Sequence, residues 1–418
     1  MSGSEGAGRG GRPLAIIFGI VALDLLGFGI VIPQLGIYAV EYQASPFVVG
    51  LLLSSYSVMQ LLGAPLLGRI SDAVGRRPVL LISLAGSVAG YLLFGFAHSL
   101  PLLFLSRIVA GLAGGNISTA QAYVSDVTAP EERARGMGII GAAFGIGFVL
   151  GPAAGGALGS YGGERAVGLG AAALSLLSLA FALAFLPESR RPGSEPARRE
   201  KLSAVRQALR EPGLGLVLVA FFLFITAFAQ MEGTFSVFLL SQHIAGGAHR
   251  VAGGLLVALP RVDDPIAREA SWKAGLLFGV VGVVSAAVQG GLIGRLRRRF
   301  GEGRLARAGI AFTAIGLVLI PAAPVYAALF APMAILALGS GLANPSLSAL
   351  ASLRAPRERQ GEALGAYQAM GSLGRILGPI LGGAVFDVGG PSAPYLVAAG
   401  MMVLALAVAR RATPAAAG

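Results

Sequence analysis

The sequence predicts an all-α integral membrane protein with twelve transmembrane helices in two pseudo-symmetric six-helix halves. Composition is the first observation behind it. The 418 residues are 55% hydrophobic and 12% charged, and a soluble domain carries about 25% charged residues. The second is length: apolar runs near 20 residues recur along the chain, which is what crossing about 30 Å of hydrocarbon requires. The third is internal repetition. Ala129-Pro130-Glu131-Glu132-Arg133 returns as Ala355-Pro356-Arg357-Glu358-Arg359, and Gly151-Pro152-Ala153-Ala154-Gly155-Gly156 returns as Gly378-Pro379-Ile380-Leu381-Gly382-Gly383. A charged turn from Gly68 returns loosely from Gly294, and all three pairs are offset by 226 or 227 residues. A constant offset implies a duplicated six-helix unit, one architecture of secondary transporters, whose small-molecule site lies between the halves near the midplane.

Twelve apolar spans are expected near 14–38, 47–67, 78–97, 100–125, 136–160, 166–187, 214–240, 273–294, 304–323, 326–350, 361–386 and 392–410. Residues 1–13 are a Gly/Ser-rich, disordered start. The run that follows is too long for a signal peptide and ends without a small-residue cleavage site, so it is the first span. The N-terminal bundle is 14–187 and the C-terminal bundle 214–410, with 188–213 an Arg-, Glu- and Pro-rich cytoplasmic linker holding a short surface helix. Residues 241–272 form an extended outer loop, a lid, a partner site or a tolerated insertion, and 411–418 are a tail. Of the 32 lysines and arginines, 25 fall on the side of the N-terminus, five on the other, and two inside spans. That bias puts both termini in the cytoplasm of a cell-membrane protein.

Several classes drop out. With no cysteine there is no disulfide or thiol chemistry, and His98, His243 and His249 form no ligand cluster, so no metal is expected. No Gly-Lys dipeptide exists, which removes a P-loop and with it a nucleotide. No clustered nucleophile and base suggests an enzyme. The net charge of +12 is spread over short loops rather than gathered for nucleic acid. The expected partners are a small-molecule substrate and the lipid bilayer, with the chain a monomer and no cofactor beyond protons as the coupling ion.

The organising stretch is the turn Gly68-Arg69-Ile70-Ser71-Asp72-Ala73-Val74-Gly75-Arg76-Arg77. Gly68 and Gly75 let the chain turn tightly, and its arginines mark a membrane surface. With Arg107-x-x-x-Gly111, Gly147-x-x-x-Gly151-Pro152-x-x-Gly155-Gly156, and Asp24 followed by Pro33, it makes the chain resemble the major facilitator superfamily, specifically its twelve-helix drug:proton antiporters. Ser83-Leu84-Ala85-Gly86 with Tyr91-Leu92-Leu93 is similar to the tetracycline and multidrug exporters. The chain departs from tetracycline pumps at Gly90, where they carry an acid, and in lacking mid-span charges in helices 8 and 9. The resemblance implies export of small lipophilic or cationic compounds by rocker-type alternating access. The alternative is an importer or facilitator of sugars, organic anions or other metabolites; a non-transporting receptor on this fold would be expected to lack Asp24 or Arg107.

The candidate residues follow. Asp24 lies about ten residues into helix 1, roughly 15 Å deep, where a charge costs about 2.5–3.5 kcal/mol. Low dielectric disfavours a charged carboxylate, so Asp24 suits proton binding; a fixed structural pair is the bland reading. Arg107 in helix 4 is a proton-coupling residue by resemblance, or else a structural arginine. Glu232 in helix 7 borders a stripe of Phe221, Phe224, Phe228, Met231, Phe235 and Phe238 at three- and four-residue spacing. An acid beside aromatic faces suits a lipophilic cation, although such a stripe alone reads as packing. Arg375 sits mid-span before Gly378-Pro379, where it contacts an anionic group or Glu232 or else forms a structural ion pair. Gln34, Asn116, Gln121, Tyr123, Asn344 and Gln368 are polar candidates for the pocket, with Phe228 and Phe235. Asp72 is expected to lock the outward-facing state by pairing with Arg76 or a helix 11 N-terminus, with Asp126 joining. The Gly147–Gly156 motif combines close helix packing with a proline bend, read either as a bend that controls leak and alternating access or as ordinary tight packing. In the second copy of the turn Arg298 stands where Asp72 would, so gating should be asymmetric.

Overall fold

The computed structural model describes residues 11–129, 132–190, 202–244, 265–356 and 359–412, and among them every regular element is helical. Residues 1–10 of the expected disordered start, 130–131, 191–201 of the linker, 245–264 of the expected outer loop, 357–358 and the tail after Ala412 lie outside the described residues.

The first half runs α1 (Gly11–Glu41), α2 (Pro46–Val74), α3 (Arg76–Gly95), α4 (Leu100–Ala113), α5 (Asn116–Val127) and α6 (Arg133–Phe185). The fourth span is broken into α4 and α5 at Gly114–Gly115. The fifth and sixth are one continuous run of 53 residues, kinked where Gly162 and Gly163 leave helical geometry, Gly163 at φ +62°. Counted by length and hydropathy the described helices give 11 candidate spans. The kinked α6 contains two of the twelve expected, so the count differs only because no polar loop interrupts it.

The second half runs α7 (Leu202–Arg210), a short helix in the linker, then α8 (Leu214–Leu239), extended by a π-helical turn to Ile244. Next come α9 (Pro265–Ala287), a π stretch at Val288–Leu292, and α10 (Ile293–Phe300). The chain closes with α11 (Glu302–Ala322), α12 (Phe330–Arg354), α13 (Gln360–Gly389) and α14 (Ala393–Ala412). Helix α9 begins eight residues before the expected span at 273, because Pro265 suits a first helical turn and Ala270 and Ala274 are fully buried.

Contacts divide the chain into two compact units. One holds the chain up to Tyr38, α2 from Ser55 through α6, and the first turns of α9 to Gly275. Its core gathers Ile17, Ile20, Leu84, Tyr123, Val124 and Leu186. Helix α6 lies against α1 and the first turns of α9 through backbone: a β-carbon on Gly151 would come within 2.6 Å of Gly29 Cα on α1, and one on Gly156 within 2.7 Å of Gly275 Cα on α9. Among apolar tails with no hydrophobic drive between helices, such small-residue contact supplies the packing. The other unit holds Ala39–Ser54, α7, α8 and the chain from Leu276 onward. There Phe221 stacks on Tyr367 with ring centroids 3.6 Å apart, and Phe238 packs on Tyr395 at 4.8 Å. A β-carbon on Gly233 would stand 3.0 Å from Pro379 Cβ, and one on Gly383 2.7 Å from Phe47 Cα.

Candidate functional site

In the first unit Asp24 is partly buried on α1, with its Oδ1 atom shut from solvent. Asn116 Nδ2 donates to Asp24 Oδ2 at 3.1 Å, and Ser87 and Ser175 flank the carboxylate. The break at Gly114–Gly115 puts Asn116 there. A β-carbon on Gly115 would press on Ala64 N and Gly63 C at 2.7 Å, and one on Gly111 would meet Met59 Cβ at 2.8 Å. Only glycine lets α4 and α5 lie so close to α2. Gln60 Nε2 donates to the Gly114 carbonyl at 3.1 Å, answering an acceptor near the break.

Arg107 is 2% exposed. Its guanidinium lies 5.3 Å from the Phe94 ring centroid and 5.8 Å from that of Tyr91. Nε donates to Ser106 Oγ at 3.3 Å. Among the described residues no carboxylate pairs with it, and Nη2 is buried without a hydrogen bond. Aromatic faces hold this cation by their quadrupoles. Asp24 and Arg107 therefore stand apart here, each with other partners, and both act electrostatically on Tyr91. Tyr91, Tyr56, Ser87 and Ser175 were not singled out as site residues; the sequence signal for Tyr91 was its place in the Ser83–Leu93 stretch.

The polar candidates of this unit separate by burial. Gln34 is fully buried with neither amide atom hydrogen-bonded, close to Ser271 and Gly159. Tyr123 is fully buried in the apolar core. Gln121 is partly buried, and its carbonyl accepts from Ser125 Oγ at 3.1 Å.

The charged turn from Gly68 to Arg77 is an ion network. Arg76, 3% exposed, reaches Asp72 at 2.7 Å, Ser71 Oγ at 2.7 Å and Asp126 at 3.1 Å. Arg190 joins Asp72 at 3.2 Å. Glu188, just past the end of α6, receives the backbone N–H of Arg76 at 2.8 Å and of Arg77 at 3.1 Å, capping α3. A carboxylate there meets both the unpaired first amides and the positive end of the helix. Gly75 at φ +108° leaves no room for a side chain, since a β-carbon would come within 2.9 Å of the Glu188 carboxyl. Gly68 accepts from Ser71 Oγ through its carbonyl at 2.9 Å. Glu188 was not a sequence candidate, and the Pro187-Glu188 pair closing an apolar run was the available signal.

Gly147, Gly151 and Gly155 of the motif face α1 from Leu25, next to Asp24, to Ile30, within two turns of it. A β-carbon on Gly147 would lie 2.7 Å from the Leu25 carbonyl, and one on Gly155 2.9 Å from Ile30 C. Pro152 is buried in the same face.

In the second unit the phenylalanine stripe is mostly interior. Phe221, Phe224, Met231, Phe235 and Phe238 are buried, and Phe235 packs edge-on to Phe278 at 5.3 Å. Phe228 and Glu232 lie on its less buried edge. Arg375 on α13 acts electrostatically on Glu232, so the expected neighbour is present. Tyr367, one of the residues not singled out, donates through its hydroxyl to Asn344 Oδ1 at 2.9 Å. Asn344 and Gln368 are exposed.

The family model of the Major Facilitator Superfamily matches residues 17–262 and 267–417. The chain belongs to this superfamily. Its curated relatives include the class C tetracycline resistance protein of Escherichia coli, 32% identical over 96% of this chain and 98% of that protein. They also include Major facilitator superfamily domain-containing protein 10 of Bos taurus, 27% identical over 96% of this chain and 93% of that protein. Among solved structures, a bacterial homolog of the human lysosomal transporter Spinster, 15% identical, superposes with a TM-score of 0.73 over 98% of each chain. At that identity the likeness shows the fold. The superfamily member is thus a multi-pass membrane transporter and not an enzyme.

Proposed function

We propose that this protein is a proton-coupled exporter of small lipophilic or cationic compounds in the cell membrane, working by alternating access with both termini in the cytoplasm. The observation that carries the reading is Asp24: a carboxylate inside the first span, held by the neutral amide of Asn116 instead of by Arg107. A carboxylate without a fixed cation can take up and release a proton during a cycle, whereas a permanent ion pair would hold it ionised. Glu232 beside Phe228 supplies a negative charge next to an aromatic face, which suits a cationic substrate. Tetracycline resistance proteins among the relatives support export. The proton gradient is the energy source in this reading, and a membrane potential adds about 2.3 kcal/mol per charge per 100 mV.

A second reading rests on Arg107, a buried cation with no carboxylate partner among the described residues, which suits an organic anion as substrate. A solved relative at 23% identity is described as a human organic anion transporter.

One assay tests both. Inverted vesicles are energised to be acidic inside, and a pH-sensitive dye follows the gradient as lipophilic cations, neutral antibiotics, organic anions and sugars are added. Collapse by a cation in wild type, absent in Asp24→Asn, carries the proposal. Accumulation of a radiolabelled organic anion in the same vesicles, with no proton movement, carries the second reading and sinks the first.

A further inference from the structure

The two copies of the charged turn share a backbone and differ in how their charges are met. Gly75 (φ +108°, ψ +161°) and Gly301 (φ +76°, ψ +160°) are matching positive-φ breaks between consecutive helices. In the first copy the buried cation is answered from within: Arg76 by Asp72 and Asp126, and Arg190 again by Asp72. In the second copy α10 carries Arg295, Arg297, Arg298 and Arg299. Glu302 answers Arg297 at 3.1 Å, and Arg299 lies over the Phe300 ring at 5.4 Å. Arg295, Arg298 and Arg299 meet no carboxylate among the described residues, and Arg304 and Arg307 nearby add the same sign.

The helix also has two faces. Ile293 and Leu296 rest on the cluster of Val288, Leu305 and Leu342. At 100° per residue, Arg295, Arg298 and Arg299 fall together within about a third of the circumference, away from that cluster. No residue of α10 is buried, and Leu292 and Phe300 remain 40% and 41% exposed. The run Pro265–Phe300 is 36 residues, about 54 Å of helix against about 30 Å of hydrocarbon. Helix α10 therefore emerges at the headgroups. Gly290, Gly291 and Gly294, which precede or open it, have open space around them.

We propose that α10 is a docking surface for anionic phospholipid. Arg295, Arg298 and Arg299 hold headgroup phosphates, and Leu292 and Phe300 enter the acyl boundary. The guanidinium fork matches phosphate oxygens two at a time, and the end of a helix emerging from the hydrocarbon presents its arginines at headgroup level. The first copy of the turn supplies its own anions; the second takes them from the membrane.

The test is lipid retention by native mass spectrometry on the purified full chain, titrated with phosphatidylglycerol or phosphatidylcholine. Each arginine near an anionic surface weighs about fivefold, so R295Q/R298Q/R299Q is expected to lower phosphatidylglycerol affinity roughly a hundredfold. Phosphatidylcholine retention stays unchanged, and R295K/R298K/R299K keeps phosphatidylglycerol affinity within about tenfold of wild type. A control pair, R410Q/R411Q, removes exposed charge at another helix end and lowers affinity less than the triple variant does. The proposal is overturned if the glutamine variant retains phosphatidylglycerol like wild type, or if the control loses as much. It is equally overturned if inorganic phosphate at the same concentration displaces the lipid, which would mark a free-anion site.

Discussion

Two glycines on one helix, ten residues apart, separate packing from propensity. A β-carbon on Gly155 would run into the Ile30 carbonyl, with Ile30 C at 2.9 Å and Ile30 Cα at 3.1 Å, whereas one on Gly145 meets nothing within 4 Å. Ordinary carbon contacts sit near 3.5–4.0 Å, so Gly155→Ala must push α1 away by about 0.5–1 Å. Overpacking of this kind costs about 1–3 kcal/mol. Both alanines gain the same helix propensity, about 1 kcal/mol, so the difference between the two variants isolates the clash. At about 2–4 °C per kcal/mol for a unit of this size, Gly155→Ala should melt roughly 2–12 °C below Gly145→Ala by fluorescence-detected size exclusion after heating. Transport should follow, because Asp24 lies on the same helix less than two turns before Ile30. Gly145→Ala keeps wild-type dye response, and Gly155→Ala loses it. Equal melting and equal transport in the two variants would refute backbone contact as the role of the motif.

Other consequences are as direct. Glu188→Ala removes the acceptor for the first two amides of α3 and should cost about 2 kcal/mol, in the range of lost caps; Glu188→Gln, which keeps acceptor oxygen without charge, should melt between it and wild type. Asp24→Asn is expected to insert and purify like wild type while abolishing proton movement in vesicles. Glu232→Gln should weaken transport of cations more than of neutral compounds, and equal loss for both classes would remove charge pairing from the account. Arg76→Lys keeps the charge but cannot reach Asp72, Asp126 and Ser71 together, so it should lower transport more than it lowers melting temperature.

Hydropathy made most of this architecture readable, because burying about twenty apolar residues in lipid leaves helices as the one economical form. What it hid were interruptions that cost no polarity. Gly114–Gly115 and Gly162–Gly163 break helices inside apolar runs, and no composition shift marks them. The Gly147–Gly156 motif was visible as small residues, but that its partner is the stretch of α1 after Asp24 is a three-dimensional fact. The spacing of Phe221 to Phe238 identified one face correctly without saying which member escapes the interior; Phe228 and Glu232 do, at the edge. Asp24 was legible because charge in a span is rare. Its partner was not, because Asn116 resembles any polar residue until the α4–α5 break aims it.

That break has a mechanical meaning. Arg107 rides on α4 and Asn116 on α5, and the two rods are joined at Gly114–Gly115, where backbone torsion is cheapest. A rotation at this joint would move the amide relative to the Asp24 carboxylate on α1 without moving the guanidinium off Tyr91 and Phe94. The amide that holds the acid and the cation thus ride on separate segments of a single span.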